Sequence, residues 1–100
     1  MITIERTTQR VSPGKWAALE EIDKRYDKIE QSNGFPAKRR YKFMIGEDMN
    51  TLVIERQWDC LAVMEATYEK VMVLPEYQAL GQEIESIVEY SKTEILMPLR

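Results

Sequence analysis

The residues able to do chemistry are few, because the chain has no histidine and a single cysteine, Cys60. Histidine is the commonest general base and metal ligand at neutral pH, and it is the usual partner of a nucleophilic cysteine. A free cysteine without that partner is more often a small hydrophobe than a nucleophile. The sequence therefore predicts no catalytic cysteine, no metal site and no bound cofactor.

The strongest ligand-binding candidates are two arginines and two aromatic residues on predicted strands, namely Arg6, Tyr41, Arg56 and Trp58. Alternate residues of a strand point to one face, and these four share the parity of the predicted helix-facing positions. They would then line a pocket between the sheet and the helices, and its aromatic and cationic groups would suit an aromatic or acyl anion. The alternative, which the pattern favours, is that the rings are core and the arginines reach solvent at the strand ends.

A turn containing Glu47, Asp48 and Asn50 has the composition of a cation site. Asp and Asn are common in turns, however, because their side chains hydrogen-bond to nearby backbone groups. The spacing is also not that of a calcium loop. We therefore expect a turn here and no metal.

The only dense basic run spans residues 38–42 and reads Lys-Arg-Arg-Tyr-Lys. An RNA-recognition domain would carry basic and aromatic residues on one open sheet face. Here alternation places Tyr41 on the opposite face from Arg40 and Lys42, and the strand at 51–58 lacks the aromatic signature that stacks bases. The net charge is −3, so we expect the chain to bind neither nucleic acid nor an anionic membrane surface.

The first half of the chain predicts a strand followed by a helix. Residues 2–11 are rich in β-branched side chains, which favour a strand. Ser12 and Pro13 predict a helix start, and Gly34 marks its end. Between them runs one apolar stripe at spacings of three and four, formed by Trp16, Leu19, Ile22, Tyr26 and Ile29.

The second half predicts a hairpin, an interrupted helix and a last strand. Residues 37–45 and 51–58 alternate in polarity around a turn, which is typical of an antiparallel hairpin. Asp59 can cap a second helix, and Pro75 must end or kink it because proline has no backbone N–H. A third apolar stripe restarts at Tyr77, and residues 88–99 predict the final strand.

This order of elements predicts an α+β, ferredoxin-like βαββαβ fold, with a four-stranded antiparallel sheet and all helices on one face. One hundred residues suit one domain, 1–100. The opposite sheet face, with Thr3, Glu5, Arg40 and Lys42 among its members, would carry interspersed charges and is most simply a solvated face. The strand positions predicted to meet the helices are Ile2, Ile4, Tyr41, Phe43, Ile45, Leu52, Ile54, Ile95 and Met97.

The sequence also bears on location. Its first residues do not combine a basic segment with a long apolar one, as a secretory signal would. No uncharged apolar stretch approaches the roughly 20 residues of a membrane-spanning helix. We therefore expect a cytoplasmic protein that does not associate with membranes.

Three segments, taken in order, resemble NIPSNAP-like proteins of the dimeric α+β barrel superfamily. They are residues 5–7 with Val-Ser-Pro-Gly-Lys at 11–15, Leu-Pro-Glu-Tyr-Gln-Ala-Leu at 74–80, and Ile-Leu-Met-Pro-Leu at 95–99. The basic run at 38–42 departs from the family's usual second strand. The resemblance implies a homodimer in which two sheets pack face to face around a central barrel. It implies little about chemistry, because fold does not carry function.

Two hypotheses of function remain open. The first is a non-enzymatic dimeric barrel protein that binds a small apolar or aromatic ligand between sheet and helices. The second, implied by the resemblance, is a cofactor-independent monooxygenase or isomerase acting on a polycyclic or quinone-like substrate. Arg6, Arg56 and Trp58 would be the nearest equivalents of the superfamily's site groups, without a clear proton acceptor. A closed core around these residues would remove the second hypothesis, and an open cavity would keep it.

Overall fold

The chain folds as one antiparallel sheet with three helices, and the computed structural model describes residues 1–46 and 48–99. The sheet has the strand order β2-β3-β1-β4, and every neighbouring pair is antiparallel. This confirms the predicted α+β, ferredoxin-like fold. In chain order the elements are β1 (Thr3–Val11), α1 (Trp16–Ser32), β2 (Arg39–Lys42), β3 (Thr51–Trp58), α2 (Leu61–Met72), α3 (Pro75–Ile84) and β4 (Val88–Leu96).

The first helix begins later than its sequence signals predict. Ser12 and Pro13 lie in a turn that is closed by a hydrogen bond from the Lys15 amide to the Ser12 carbonyl (3.0 Å). Gly14 has a φ of 76°, in the left-handed region that interrupts a right-handed helix. The helix can therefore start only at Trp16. Its predicted end is confirmed by Gly34, which has a φ of 81° just after the last turn.

The break between the second and third helices lies where proline places it. α2 ends at Met72, and Pro75 is the first residue of α3, where its missing N–H costs no hydrogen bond. The cap of α2 is Cys60 and not the predicted Asp59, and no side chain bonds the free N–H groups there. Helix packing onto the sheet, more than capping, therefore holds this start.

The inward faces of β1 and β2 are the reverse of those predicted. Thr3 and Glu5 of β1 are buried, although they were expected on the outer face, and Gln9 is buried on the same side. Tyr41 pairs with Val53 on the outer face, and Ile45 is exposed beyond the end of the strand. The parity predicted for β3 is correct, since Leu52 is in the core and Ile54 packs against it.

Charge pairing explains the reversal on both strands. On β2, Arg40 turns toward α1 and its guanidinium reaches Asp23 (2.5 Å) and Asp27 (2.8 Å). On β1, Glu5 turns inward because Arg56 and Trp58, on the neighbouring strand, supply donors to its carboxylate. The free energy gained by burying Ile2 and Ile4 on this face would not offset the cost of leaving the Glu5 carboxylate without its partners. Local alternation was therefore a misleading guide to these two strands.

The apolar core consists of two clusters, one toward each end of the helical layer. The larger cluster joins β1 and β3 to α1 and α3, and the smaller packs α2 against the end of β3. The larger contains Val11, Leu19, Ile22, Leu52, Leu80 and Ile87, and the smaller contains Phe35, Trp58, Met64 and Val71. Between the two clusters lies a region that is lined by charged residues and is partly open to solvent.

A pair of aliphatic truncations tests the corrected core. Leu52→Ala removes a side chain that is 9 % exposed, and we expect the free energy of unfolding to fall by roughly 2–5 kcal/mol because a cavity forms. Ile45→Ala is the matched control. Ile45 is 90 % exposed, so its truncation should cost less than about 0.5 kcal/mol. Urea unfolding of both variants gives the comparison, and equal losses would contradict the assignment of Ile45 to the surface.

Candidate functional site

A cavity of about 500 Å³ lies between the inner face of the sheet and the helices. Its floor is formed by Thr7 and Gln9 of β1 and by Ser91 and Thr93 of β4, which are register partners across the two strands. Met72, Ser91 and Thr93 are its exposed lining residues, so the cavity opens to solvent on their side. Its apolar walls are formed by Leu19, Ile22, Ile54, Met72, Ile84 and Val88.

The Glu5 carboxylate anchors the polar side of the cavity. Its Oε1 accepts a hydrogen bond from Trp58 Nε1 (3.0 Å), and its Oε2 accepts one from the Tyr68 hydroxyl. Arg56 Nη1 lies 3.4 Å from the same Oε1 and also donates to the Tyr68 oxygen (2.9 Å). Three residues therefore share one buried carboxylate, which fixes their orientation.

A chain of ion pairs continues from Arg56 toward the first helix. Arg56 Nη2 lies 2.5 Å from Glu30 Oε1, and Lys38 Nζ lies 2.8 Å from the same oxygen. Lys38 also reaches Asp23 Oδ1 at 3.0 Å. Burial acts to lower the pKa of Arg56, but the carboxylates of Glu30 and Glu5 outweigh it and raise that pKa. The guanidinium is therefore a permanent cation held among carboxylates.

Three tyrosines line the cavity, and all keep their hydroxyl protons at neutral pH. Burial is the main cause that raises the pKa values of Tyr26, Tyr68 and Tyr77, because it disfavours the phenolate. Tyr26 and Tyr77 meet edge to face, with ring centroids 5.4 Å apart. Tyr68 packs in the same way against Phe35, at 5.0 Å. These rings give the cavity a partly aromatic wall whose polar tips are uncharged.

The four sequence-predicted site residues fall into two places. Arg56 lines the cavity, and Trp58 lies beside it, buried and bonded to Glu5. Arg6 and Tyr41 lie on the outer face of the sheet, where Arg6 Nε pairs with Glu55 at 2.8 Å. The structure thus brings together two of the four, and their role in binding a ligand stays a prediction.

Sequence reasoning missed the partners of the buried arginine. Glu5, Glu30 and Tyr68 come from three different elements, and local periodicity does not relate them to Arg56. One signal was available, because a buried arginine requires a carboxylate partner. Glu30 lies four residues beyond Tyr26, at the end of the helical stripe, and was the natural candidate from sequence.

The other residues singled out from sequence have local roles. Asp48 Oδ1 accepts the Asn50 amide (2.9 Å), and Asp48 Oδ2 pairs with Arg10 (3.0 Å). Glu47 lies outside the described residues.

Over 1–46 and 48–99, no three His, Cys, Asp or Glu side chains are placed to hold a metal ion. Within the same ranges, no helix combines the length and the apolar character needed to cross a membrane.

Comparison with solved structures identifies the class of fold. A NIPSNAP family protein from Agrobacterium tumefaciens superimposes with a TM-score of 0.81 and 16 % identity, over 99 % of this chain and 94 % of that one. An uncharacterised NIPSNAP domain protein from Burkholderia xenovorans does so with a TM-score of 0.70 and 23 % identity, over 97 % and 94 %. The chain therefore has the fold of NIPSNAP-like proteins, within the ferredoxin-like class.

The likeness extends to a NIPSNAP family protein of unknown function from A. tumefaciens, with a TM-score of 0.81 and 20 % identity over 99 % of this chain and 89 % of that one. No protein-family model matches the chain. No curated protein matches its sequence either. At these identities the comparisons establish the fold alone, and function must be argued from the site.

Removal of the Arg56 guanidinium tests how strongly the fold depends on its buried ion pairs with Glu5 and Glu30. Arg56→Met leaves Glu5 and Glu30 buried with less of their charge balanced, and we expect a loss of roughly 3–5 kcal/mol in the free energy of unfolding. Arg25→Met is the matched control, since its exposed pair with Glu83 lies on the helices, away from the outer face of the sheet, and we expect a much smaller loss there. Urea unfolding at pH 7 separates the two. A loss at Arg56 no larger than at Arg25 would mean that the buried ion pairs are not coupled.

Proposed function

We propose that this protein binds a small, largely apolar molecule in the cavity between its sheet and its helices. The observation that carries the proposal is the cavity itself. Its volume of about 500 Å³ falls within the range of roughly 300–1,000 Å³ that is common for ligand sites. Its wall combines aliphatic side chains with tyrosine rings and a few convergent polar groups, which is the usual composition of such sites.

Binding without turnover is the form of this function that the polar groups favour. An isomerase or monooxygenase acting here would need a free proton acceptor beside the substrate. Glu5 supplies a carboxylate in the right place, but both of its oxygens already accept hydrogen bonds. The cavity is open, which keeps the enzymatic hypothesis, but its carboxylate is arranged to hold neighbours in position.

A plugged cavity tests the binding function. Thr93 lines the exposed side of the cavity, and Thr93→Trp should fill the opening. With the neutral probe N-phenyl-1-naphthylamine, we expect saturable fluorescence enhancement at one site per chain, weakened at least roughly tenfold by Thr93→Trp, a loss of about 1.4 kcal/mol. Ala79→Trp is the matched control, because Ala79 is exposed on α3 and is not part of the lining.

Either of two results would count against this function. Wild-type protein that shows no saturable enhancement would remove it. Equal binding by both tryptophan variants would place the probe elsewhere on the molecule.

We further propose that the protein acts as a homodimer through the outer face of its sheet. That face has a shallow depression lined by Tyr41, Phe43, Val53 and Tyr90 among charged neighbours of both signs. Tyr41 and Tyr90 are each about half exposed. Exposed aromatic residues interspersed with opposite charges favour a self-complementary interface over a purely solvated face.

A charge at the centre of the outer face tests the dimer. Val53 lies between Tyr41 and Thr8 in the strand register, so Val53→Asp would place a carboxylate in the middle of the proposed interface. We expect wild-type protein to be a dimer by light scattering at micromolar concentration, and Val53→Asp to be a monomer. Val63→Asp is the matched control, because Val63 is exposed on α2 and should leave the mass unchanged. A monomeric wild-type protein would contradict the proposal.

A further inference from the structure

The cations of the cavity are already balanced by the protein's own carboxylates. Lys38 Nζ lies within 3.1 Å of Asp23, Asp27 and Glu30. Arg56 is paired with Glu30 and Glu5. An anionic ligand would therefore have to compete with carboxylates that are fixed in place by the fold. It would find no uncompensated positive charge among the described lining residues.

The balance of charge also opposes an anion. Among the described lining residues, the carboxylates of Glu5, Asp23 and Glu30 outnumber the cations of Lys38 and Arg56. Transfer of a further negative charge into this partly buried space would cost its hydration, and no unpaired cation of the described lining would offset that cost. The site should therefore disfavour carboxylates and phosphates, although a pocket lined by the sequence-predicted arginines would have suited an aromatic or acyl anion.

The side-chain amide of Gln9 is an uncharged hydrogen-bonding group of the cavity. Gln9 lies on the floor of the cavity, is 9 % exposed, and its Oε1 has no hydrogen-bond partner among the described residues. Buried amide oxygens without partners are rare and call for a specific explanation. Because rotation of the amide exchanges its oxygen and nitrogen, Gln9 can accept from a hydroxyl or donate to a carbonyl.

A second buried group has the same character. Arg56 Nε has no hydrogen-bond partner in the described part of the chain, although the charge of the guanidinium is balanced. Tyr26 and Tyr77 also line the cavity, and burial raises the pKa values of their hydroxyls, which stay uncharged. All of these groups suit a ligand that hydrogen-bonds without carrying a charge.

We propose that the cavity selects an uncharged, largely apolar ligand that carries a hydroxyl, carbonyl or amide group, and that the Gln9 amide is the group that recognises it. This inference rests on the proposed binding function and specifies its ligand class. Apolar surface supplies most of the affinity, and Gln9 supplies the orientation. A carboxylate of the same shape binds more weakly because Glu5, Asp23 and Glu30 repel it.

Probes of matched shape test the charge preference. Naphthalene, 2-naphthamide and 2-naphthoate share one ring system, and the last two differ mainly in charge. Each is titrated into the full chain and followed by the methyl resonances of Leu19, Ile54 and Ile84, which line the cavity. We expect 2-naphthamide to bind at least roughly tenfold more tightly than 2-naphthoate, because only the anion meets uncompensated repulsion.

A substitution tests the role of Gln9. Gln9→Met keeps the length of the side chain and removes its hydrogen-bonding amide. We expect the affinity for 2-naphthamide relative to naphthalene to fall roughly 2- to 10-fold, the ratio that one neutral hydrogen bond supplies. Gln82→Met is the matched control, since Gln82 is exposed on α3 and outside the cavity. It should leave the ratio unchanged.

The outcomes separate the two proposals. Equal or tighter binding of 2-naphthoate would overturn the inference and leave the binding function standing. An unchanged ratio in Gln9→Met would overturn the recognition role of Gln9. If none of the three probes shifts the cavity methyl resonances, the binding function itself fails and the inference fails with it.

Discussion

The rest of this structure depends on the ion pairs and the hydrogen bond of the buried Arg56 guanidinium. Arg56 lies on β3, and its partners are Glu5 on β1, Glu30 on α1 and Tyr68 on α2. A buried cation is tolerated only where carboxylates and hydrogen bonds replace its hydration. Because each partner belongs to a different element, meeting that requirement fixes how two strands and two helices are placed relative to one another.

The same requirement explains why there is a cavity. An ideal core of this fold would carry alternating apolar residues on every strand. Here β1 presents Thr3, Glu5, Thr7 and Gln9 inward, and the apolar residues gather in two separate clusters. Paired polar groups need directional contacts, so they cannot fill space as freely as aliphatic side chains do. The volume between the clusters is left open.

Sequence patterns predicted most of the local features, apart from the starts of α1 and α2, and failed on the distant ones. The apolar stripe of α1, the break at Pro75 and the inward face of β3 are confirmed, since each depends on residues close in the chain. The inward faces of β1 and β2 depend instead on pairs such as Glu5 with Arg56, which are 51 positions apart. Alternation depends only on the polarity of each residue. It does not show whether a residue of another element supplies an ion-pair or hydrogen-bond partner.

The difference between local and distant determinants also limits what a shared fold can indicate about ligands. The solved NIPSNAP structures cited above share 16–23 % identity with this chain, so most side chains at corresponding positions differ. The fold can therefore keep its backbone while a cavity changes its charge and polarity. In this chain the ion pairs that position the elements also occupy the cations that could have recognised an anion. The selectivity that we propose would then come from shape and from uncharged hydrogen bonds, which are features of individual side chains and not of the fold.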